Sequence, residues 1–158
     1  MENAGLETPL IRVFGGMGLE GSDGPVVYSG AKRYIQSELA AIKKACKDLD
    51  RRLVLESGKG PPHRLRGASL VLHLRLAPHD TPLNRWCKPQ VKLENAAAAG
   101  CPVLASGHPS VTSLRPGVPT AHGSWAESIA HALSQAPLAN PVSLEDHRRL
   151  IRQCLGQR

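Results

Sequence analysis

Aromatic side chains are scarce: Phe, Tyr and Trp together make up 3% of the 158 residues. A core without rings has to be built from Leu, Val, Ile and Ala. A surface that stacks single-stranded nucleic acid on aromatic side chains is excluded. Paired cysteines are missing as well. Cys46, Cys87, Cys101 and Cys154 show neither CxxC nor zinc-finger spacing, so they read as free thiols of a reducing compartment. No apolar run approaches the ~18 residues of a membrane span, and the N-terminus MENAGLETPL lacks a basic-then-apolar leader pattern. A soluble, cytoplasmic protein with no integral membrane segment is expected. The usual nucleotide fingerprints are absent too. Gly15-Gly-Met-Gly18 is not GxGxxG, and Gly58-Lys-Gly60 lacks the spacing of a P-loop.

Positive charge is plentiful. The formal net charge is +7, which favours anionic partners such as phosphates and nucleotides. The basic residues are dispersed, without a long block, so a nucleic-acid tail is not indicated and no nucleic-acid partner is expected. Hydrophobic residues reach 41%, enough for a folded chain, and the length suits one domain.

Short apolar, β-branched runs predict strands at Leu10–Phe14, Val26–Tyr28, Arg52–Glu56, Ser69–Leu74 and Cys101–Ala105, with a short edge strand at Val118–Ala121. Ile35, Leu39, Ile42, Cys46 and Leu49 recur at helical spacing, which predicts a helix over Lys32–Leu49 with Cys46 inward and inert. Ser124-x-x-Glu127 is a capping box that opens a second helix, and Ser143-x-x-Asp146 opens a last one. Strands alternating with helices imply an α/β fold with a mostly parallel sheet of about five or six strands. Residues 1–9 read as a loose lead-in, 10–136 as the domain, and 137–158 as a linker and C-terminal helix.

The most informative stretch runs from Arg85 to Ser106. Pro89 suits a first helical position and Gly100 a helix stop. Lys88, Lys92 and Asn95 fall at i, i+4, i+7 and share one helix face. Two lysines in the first turns oppose the helix dipole, at about 0.3–1 kcal/mol each. A bound anion would reverse that sign, because free N–H groups and ammonium groups would converge on it. The ordinary alternative is a pair of solvated surface lysines. Ligands of parallel sheets sit outside the carboxyl ends of the strands, which makes loops 15–24, 29–31, 75–88 and 106–117 candidates and brings Gly30 and Ser106 to one edge. His79 and Asp80, in the long loop 75–87, are candidates for a base. His73 lies near them, on a strand that reads as buried, and is taken as a core residue; no metal site is expected.

The run Lys88-Pro-Gln-Val-Lys-Leu-Glu-Asn-Ala-Ala-Ala-Ala-Gly-Cys-Pro-Val-Leu-Ala-Ser106 resembles the nucleotide-sugar-binding, C-terminal half of GT-B-fold glycosyltransferases. Those enzymes end a helix in A-x-G-x-P-V-x-A-S, and some begin it with K-P-x-x-K-L-x-N-A. The strand from Ala68 to Leu74 is similar to the one that leads into their donor loop, and Val26–Gly30 with Leu53–Glu56 fits their first β-α-β. The resemblance spans about residues 25 to 125. It implies a single Rossmann-like three-layer domain that binds a nucleotide diphosphate sugar as donor substrate, with no further cofactor. It implies that Gly30, Lys88, Lys92, Asn95 and Ser106 hold the nucleotide and that His79 or Asp80 supplies the base. Such enzymes use two halves, so an acceptor-binding partner chain or a homodimer is expected. Cys87 and Asn95 stand where many members carry glutamates. That departure leaves two alternatives: a non-catalytic nucleotide- or phosphosugar-binding module, and a basic interaction protein.

Overall fold

Four apolar runs pair side by side because each is short, β-rich and flanked by polar or turn-forming residues. In the computed structural model, which describes residues 23–56, 65, 67–87, 90–138 and the positions 145, 148, 149 and 152, they form β1 (Val26–Ser29), β2 (Leu53–Glu56), β3 (Leu70–His73) and β4 (Val103–Ala105). All pair in parallel, in the order β2-β1-β3-β4. Val26 lies opposite both Leu53 and Leu70, and Val71 opposite Val103.

The period of two in a strand sends alternate side chains to opposite faces. Val26 and Tyr28 join one apolar cluster with Leu39, Ile42, Cys46 and Ile129, contributed by α1 (Leu39–Asp48) and α5 (Trp125–Leu133). Val27, Val71 and Val103 join a second cluster with Leu93, Ala96 and Val111. That face is covered by α3 (Val91–Ala98) and α4 (Pro109–Thr112), while α2 (Pro82–Cys87) precedes α3 in the chain. The result is the expected three-layer, Rossmann-like arrangement. Each fully buried Leu or Ile contributes about 1.5–3 kcal/mol, and Ile35, Ile42, Leu70, Leu93, Leu104 and Ile129 are all below 2% exposed. Trp125 Nε1 donates to Glu38 Oε2 at 3.0 Å and ties α5 to α1.

Several sequence expectations need correction. Among the described residues the sheet has four strands, not five or six. Leu10–Phe14 lies outside the described residues, and Val118–Ala121 contributes a single parallel bridge, Ala105 to Thr120. Pro119 in that run has no N–H to offer a ladder. The helix over Lys32–Leu49 is broken: a 3-10 turn at Lys32–Ile35 is followed by α1. In a continuous helix the Glu38 N–H would bond the Tyr34 carbonyl. Here the Leu76 N–H takes that carbonyl at 2.8 Å, and Glu38 N–H bonds Ile35 O at 3.1 Å. The long loop 75–87 carries α2, and the loop 107–117 carries α4; both start on a proline, whose missing N–H costs nothing there. The helix of the key stretch begins at Val91 with Gln90 as N-cap, while Lys88 and Pro89 lie outside the described residues. So do Leu144 and most of the last predicted helix. Gly100 ends α3 at φ +69°, a conformation that costs glycine nothing. No helix among the described residues is long and apolar enough to cross a membrane.

Candidate functional site at the carboxyl ends of the strands

The chain leaves β1 for β2 on one side and returns to β3 on the other. That reversal opens a crevice at the carboxyl ends of β1 and β3, the position where parallel sheets take ligands. A cleft of about 290 Å³ occupies it.

Tyr28 and Ser29 form one wall. The Tyr28 hydroxyl lies 3.2 Å from Ala31 O and 3.5 Å from Leu74 O. Burial pushes its phenol up to about 12, against the opposing pull of Arg75, so it is neutral at ordinary pH. Gly30 stands behind it, where a Cβ would meet the Tyr28 hydroxyl at 2.6 Å. Its N–H donates to Glu56 O at 2.9 Å. Gly30 thus lets the Tyr28 ring fill the floor.

His73 ends β3. Its Nε2 is 2.6 Å from Gln90 Oε1, and Gln90 Nε2 donates to Ser110 Oγ at 2.8 Å. Burial, reinforced by the positive charges of Arg75, Lys92 and His108, lowers its proton affinity to a pKa of about 4; the Gln90 hydrogen bond only partly opposes this. His108, after β4, is also shifted down, first by burial and then by Arg85 and Arg75, with Asp80 pulling the other way.

Ser106 joins the exits of β3 and β4. Its N–H donates to His73 O at 3.0 Å. Its hydroxyl accepts from Arg75 N at 2.9 Å and donates to Arg75 O at 3.3 Å. The hydroxyl is therefore occupied in holding Arg75. The Arg75 guanidinium stacks over the Tyr34 ring at 4.7 Å, within cation–π range. Its Nε is buried with no hydrogen-bond partner among the described residues.

α3 points its N-terminus into this cleft, with Val91 and Lys92 on the lining. The N-cap Gln90 makes no side-chain cap, because its amide is engaged with His73 and Ser110. Glu94, the acid of the first turn, faces away and pairs with Arg115 at 2.8 Å, with side chains only 11% and 13% exposed. The first turn of α3 thus presents a lysine to the cleft and keeps its carboxylate out of it.

Of the residues singled out in the sequence, Lys92 and Ser106 line the cleft, and Gly30 backs it. Asn95 is half-buried on α3 and is not part of the lining. Lys88 lies outside the described residues. His79 and Asp80 stand one contact away. The His79 ring meets Tyr34 edge-on at 5.4 Å, and its carbonyl accepts from Asn84 Nδ2 at 2.9 Å. Asp80 reaches the cleft through its field on His108. Cys87 closes α2 beside the exposed Trp86. Cys46 and Cys101 are buried, and burial pushes both thiols up to about 11, which leaves them unreactive. Among the described residues no group of three or more His, Cys, Asp or Glu is placed to hold a metal.

Sequence reasoning missed Tyr28, Arg75, Gln90 and His108, and it assigned His73 to the core. A usable signal existed. These residues lie at or just after the ends of predicted strands, or just before the helix that points at those ends.

No protein-family model matches the chain, and no curated protein does. Among solved structures it is similar to AviGT4, a glycosyltransferase involved in avilamycin A biosynthesis, with a TM-score of 0.52 and 21% sequence identity. The match covers 84% of this chain and 47% of that one, so this chain spans about half the length of the enzyme it matches. The chain has a glycosyltransferase-like fold.

Proposed function

We propose that the domain binds the diphosphate of a nucleotide sugar in the cleft between β1, β3 and α3, as the donor-binding, C-terminal-type half of a glycosyltransferase. The observation that carries this reading is the cleft wall formed by Arg75, Lys92 and the uncapped N-terminus of α3. An ammonium, a guanidinium and the positive end of a helix that lacks a side-chain cap, all facing one cavity, suit a diphosphate. Lys88, four residues before Lys92, adds a second ammonium in this reading. Ser106 supports the nucleotide by fixing Arg75; Asn95, outside the lining, does so only if the ligand reaches along α3.

In glycosyl transfer, negative charge grows on the departing diphosphate, so fixed cations and helix N–H groups lower the barrier. His79 and Asp80 are assigned the base, acting on an acceptor delivered by a separate acceptor-binding chain or a second copy of this one. The half-length match to AviGT4 fits such a division. The replacement of the family's glutamates by Cys87 and Asn95 favours a second reading, a module that binds the nucleotide sugar without transferring it.

A thermal-shift panel of UDP, GDP, ADP and their sugars tests the binding. A ligand at a hundred times its Kd stabilises the fold by about 2.7 kcal/mol, and Lys88→Ala and Lys92→Ala are expected to diminish the shift. No shift with any diphosphate would sink both readings and leave a basic interaction protein. Transfer from a labelled nucleotide sugar, with and without a partner chain, separates enzyme from module.

A further inference from the structure

His73 closes β3 at the cleft and shares a hydrogen-bond chain with Gln90 and Ser110. Gln90 is 3% exposed and Ser110 fully buried, so water does not compete for their bonds. Gln90 Oε1 lies 2.6 Å from His73 Nε2, while the amide nitrogen of Gln90 donates to Ser110 Oγ at 2.8 Å. The amide oxygen therefore faces the ring. It can only accept, so the imidazole proton sits on Nε2. The other ring nitrogen, Nδ1, is then bare and carries a lone pair. Among the described residues, the buried side-chain atoms left without a partner are Ser69 Oγ and Arg75 Nε. His73 is part of the cleft lining.

We propose that His73 is a fixed hydrogen-bond acceptor of the cleft, whose Nδ1 receives a hydroxyl hydrogen of the ligand, with Gln90 and Ser110 as positioning residues that set the tautomer. The rest of the wall is rich in donors: Arg75, Lys92 and the N–H groups of α3. A fully ionised diphosphate supplies acceptors for them and no hydrogen for Nδ1. A ligand joining a diphosphate to a hydroxylated ring satisfies both sets, so His73 selects a nucleotide sugar or phosphosugar over a fully ionised diphosphate without the ring. Burial, with the positive neighbours Arg75, Lys92 and His108 adding to it, keeps the ring neutral, so the acceptor survives in mildly acid solution. The identity of the ligand rests on the function proposed above; the tautomer does not.

Long-range proton–nitrogen NMR of the intact, histidine-labelled protein reads both nitrogens directly. The expected spectrum shows a protonated Nε2 and a bare Nδ1, unchanged from about pH 7 down to about pH 5.5. UDP-glucose, or methyl glucoside at high concentration, should then move the Nδ1 resonance toward a hydrogen-bonded position. Gln90→Leu should replace the single tautomer by a mixture in a protein that remains folded by circular dichroism. A proton on Nδ1 in the wild type, or an ordinary histidine titration, overturns the proposal whatever binds. UDP-glucose binding that leaves Nδ1 unmoved also overturns it, and leaves the diphosphate reading standing. Methyl glucoside moving Nδ1 while no nucleotide binds supports it and removes the nucleotide. If neither compound moves Nδ1 and neither binds, the proposal falls, and the GDP and ADP sugars of the thermal-shift panel decide the diphosphate reading.

Discussion

α3 and α5 face the same physical problem and solve it in opposite ways. Each helix begins with N–H groups that have no partner inside the helix. α5 closes its own end. Ser124 Oγ accepts from Glu127 N–H at 3.2 Å, and the Glu127 carboxylate accepts from Ser124 N–H at 3.2 Å. α3 leaves its end open. Its N-cap side chain is spent on His73, its acid is spent on Arg115, and Lys92 stands in the first turn. A helix end that satisfies itself supports a fold. One that forgoes its side-chain cap, carries the unfavourable charge and faces a cavity is where the proposed diphosphate would sit.

The contrast can be broken at its buried ion pair first. Arg115→Ala would take a buried ion-pair partner from Glu94 beside the first turn of α3, and a loss of about 3 kcal/mol in urea unfolding is expected. A loss no larger than that of an exposed pair would mean that Glu94 can turn back toward the helix end, where its charge would compete with a bound anion.

Acid is the next lever. Unfolded histidine binds a proton near pH 6.5, whereas folded His73 does so only near 4. Between those values the unfolded state holds more protons, so stability falls as pH drops through this window and levels off below it. The His73 contribution amounts to about 3 kcal/mol, and His108 acts in the same direction. His73→Asn should flatten the wild-type stability profile between about pH 6.5 and 4. An equal slope in the variant would show that His73 is not held neutral.

Ligand binding should separate the two helix ends. Lys92→Ala is expected to weaken UDP by about tenfold, or about 1.4 kcal/mol, with less sensitivity to salt. Unchanged affinity by calorimetry would remove α3 from the site. The smallest effect belongs to the closed helix. Ser124→Ala should cost about 1 kcal/mol of stability and leave UDP affinity alone. A Ser124 variant that impaired binding would erase the distinction between the two ends.

How much of this could be read in advance follows the range of the forces involved. The capping box at Ser124, the glycine stop at Gly100 and the apolar runs of β1 to β4 depend on residues a few positions apart, and the sequence shows them plainly. The break between Lys32 and Leu49 does not, because it is set by the Leu76 N–H taking the Tyr34 carbonyl from across the fold. α2 and α4, of six and four residues, are too short to display a period. Lys92 was legible as a cation in the wrong place. Its neighbours in the cleft were not, since Tyr28, His73, Arg75 and His108 come from three different strand ends.

The sequence by itself determined the alternation of strand and helix, the parallel sheet it compels, the inward face of α1 and the basic character of the stretch around Lys92. These follow from periodicity, caps and charge, which act along the chain. Tertiary structure alone decided that His73 leaves the core for the cleft and that Gln90 gives up its cap to hold it. It also decided that Glu94 turns to Arg115 and that Arg75 lies across Tyr34. Each of those outcomes is a choice between partners, and partners far apart in sequence meet only when the sheet brings its carboxyl ends together.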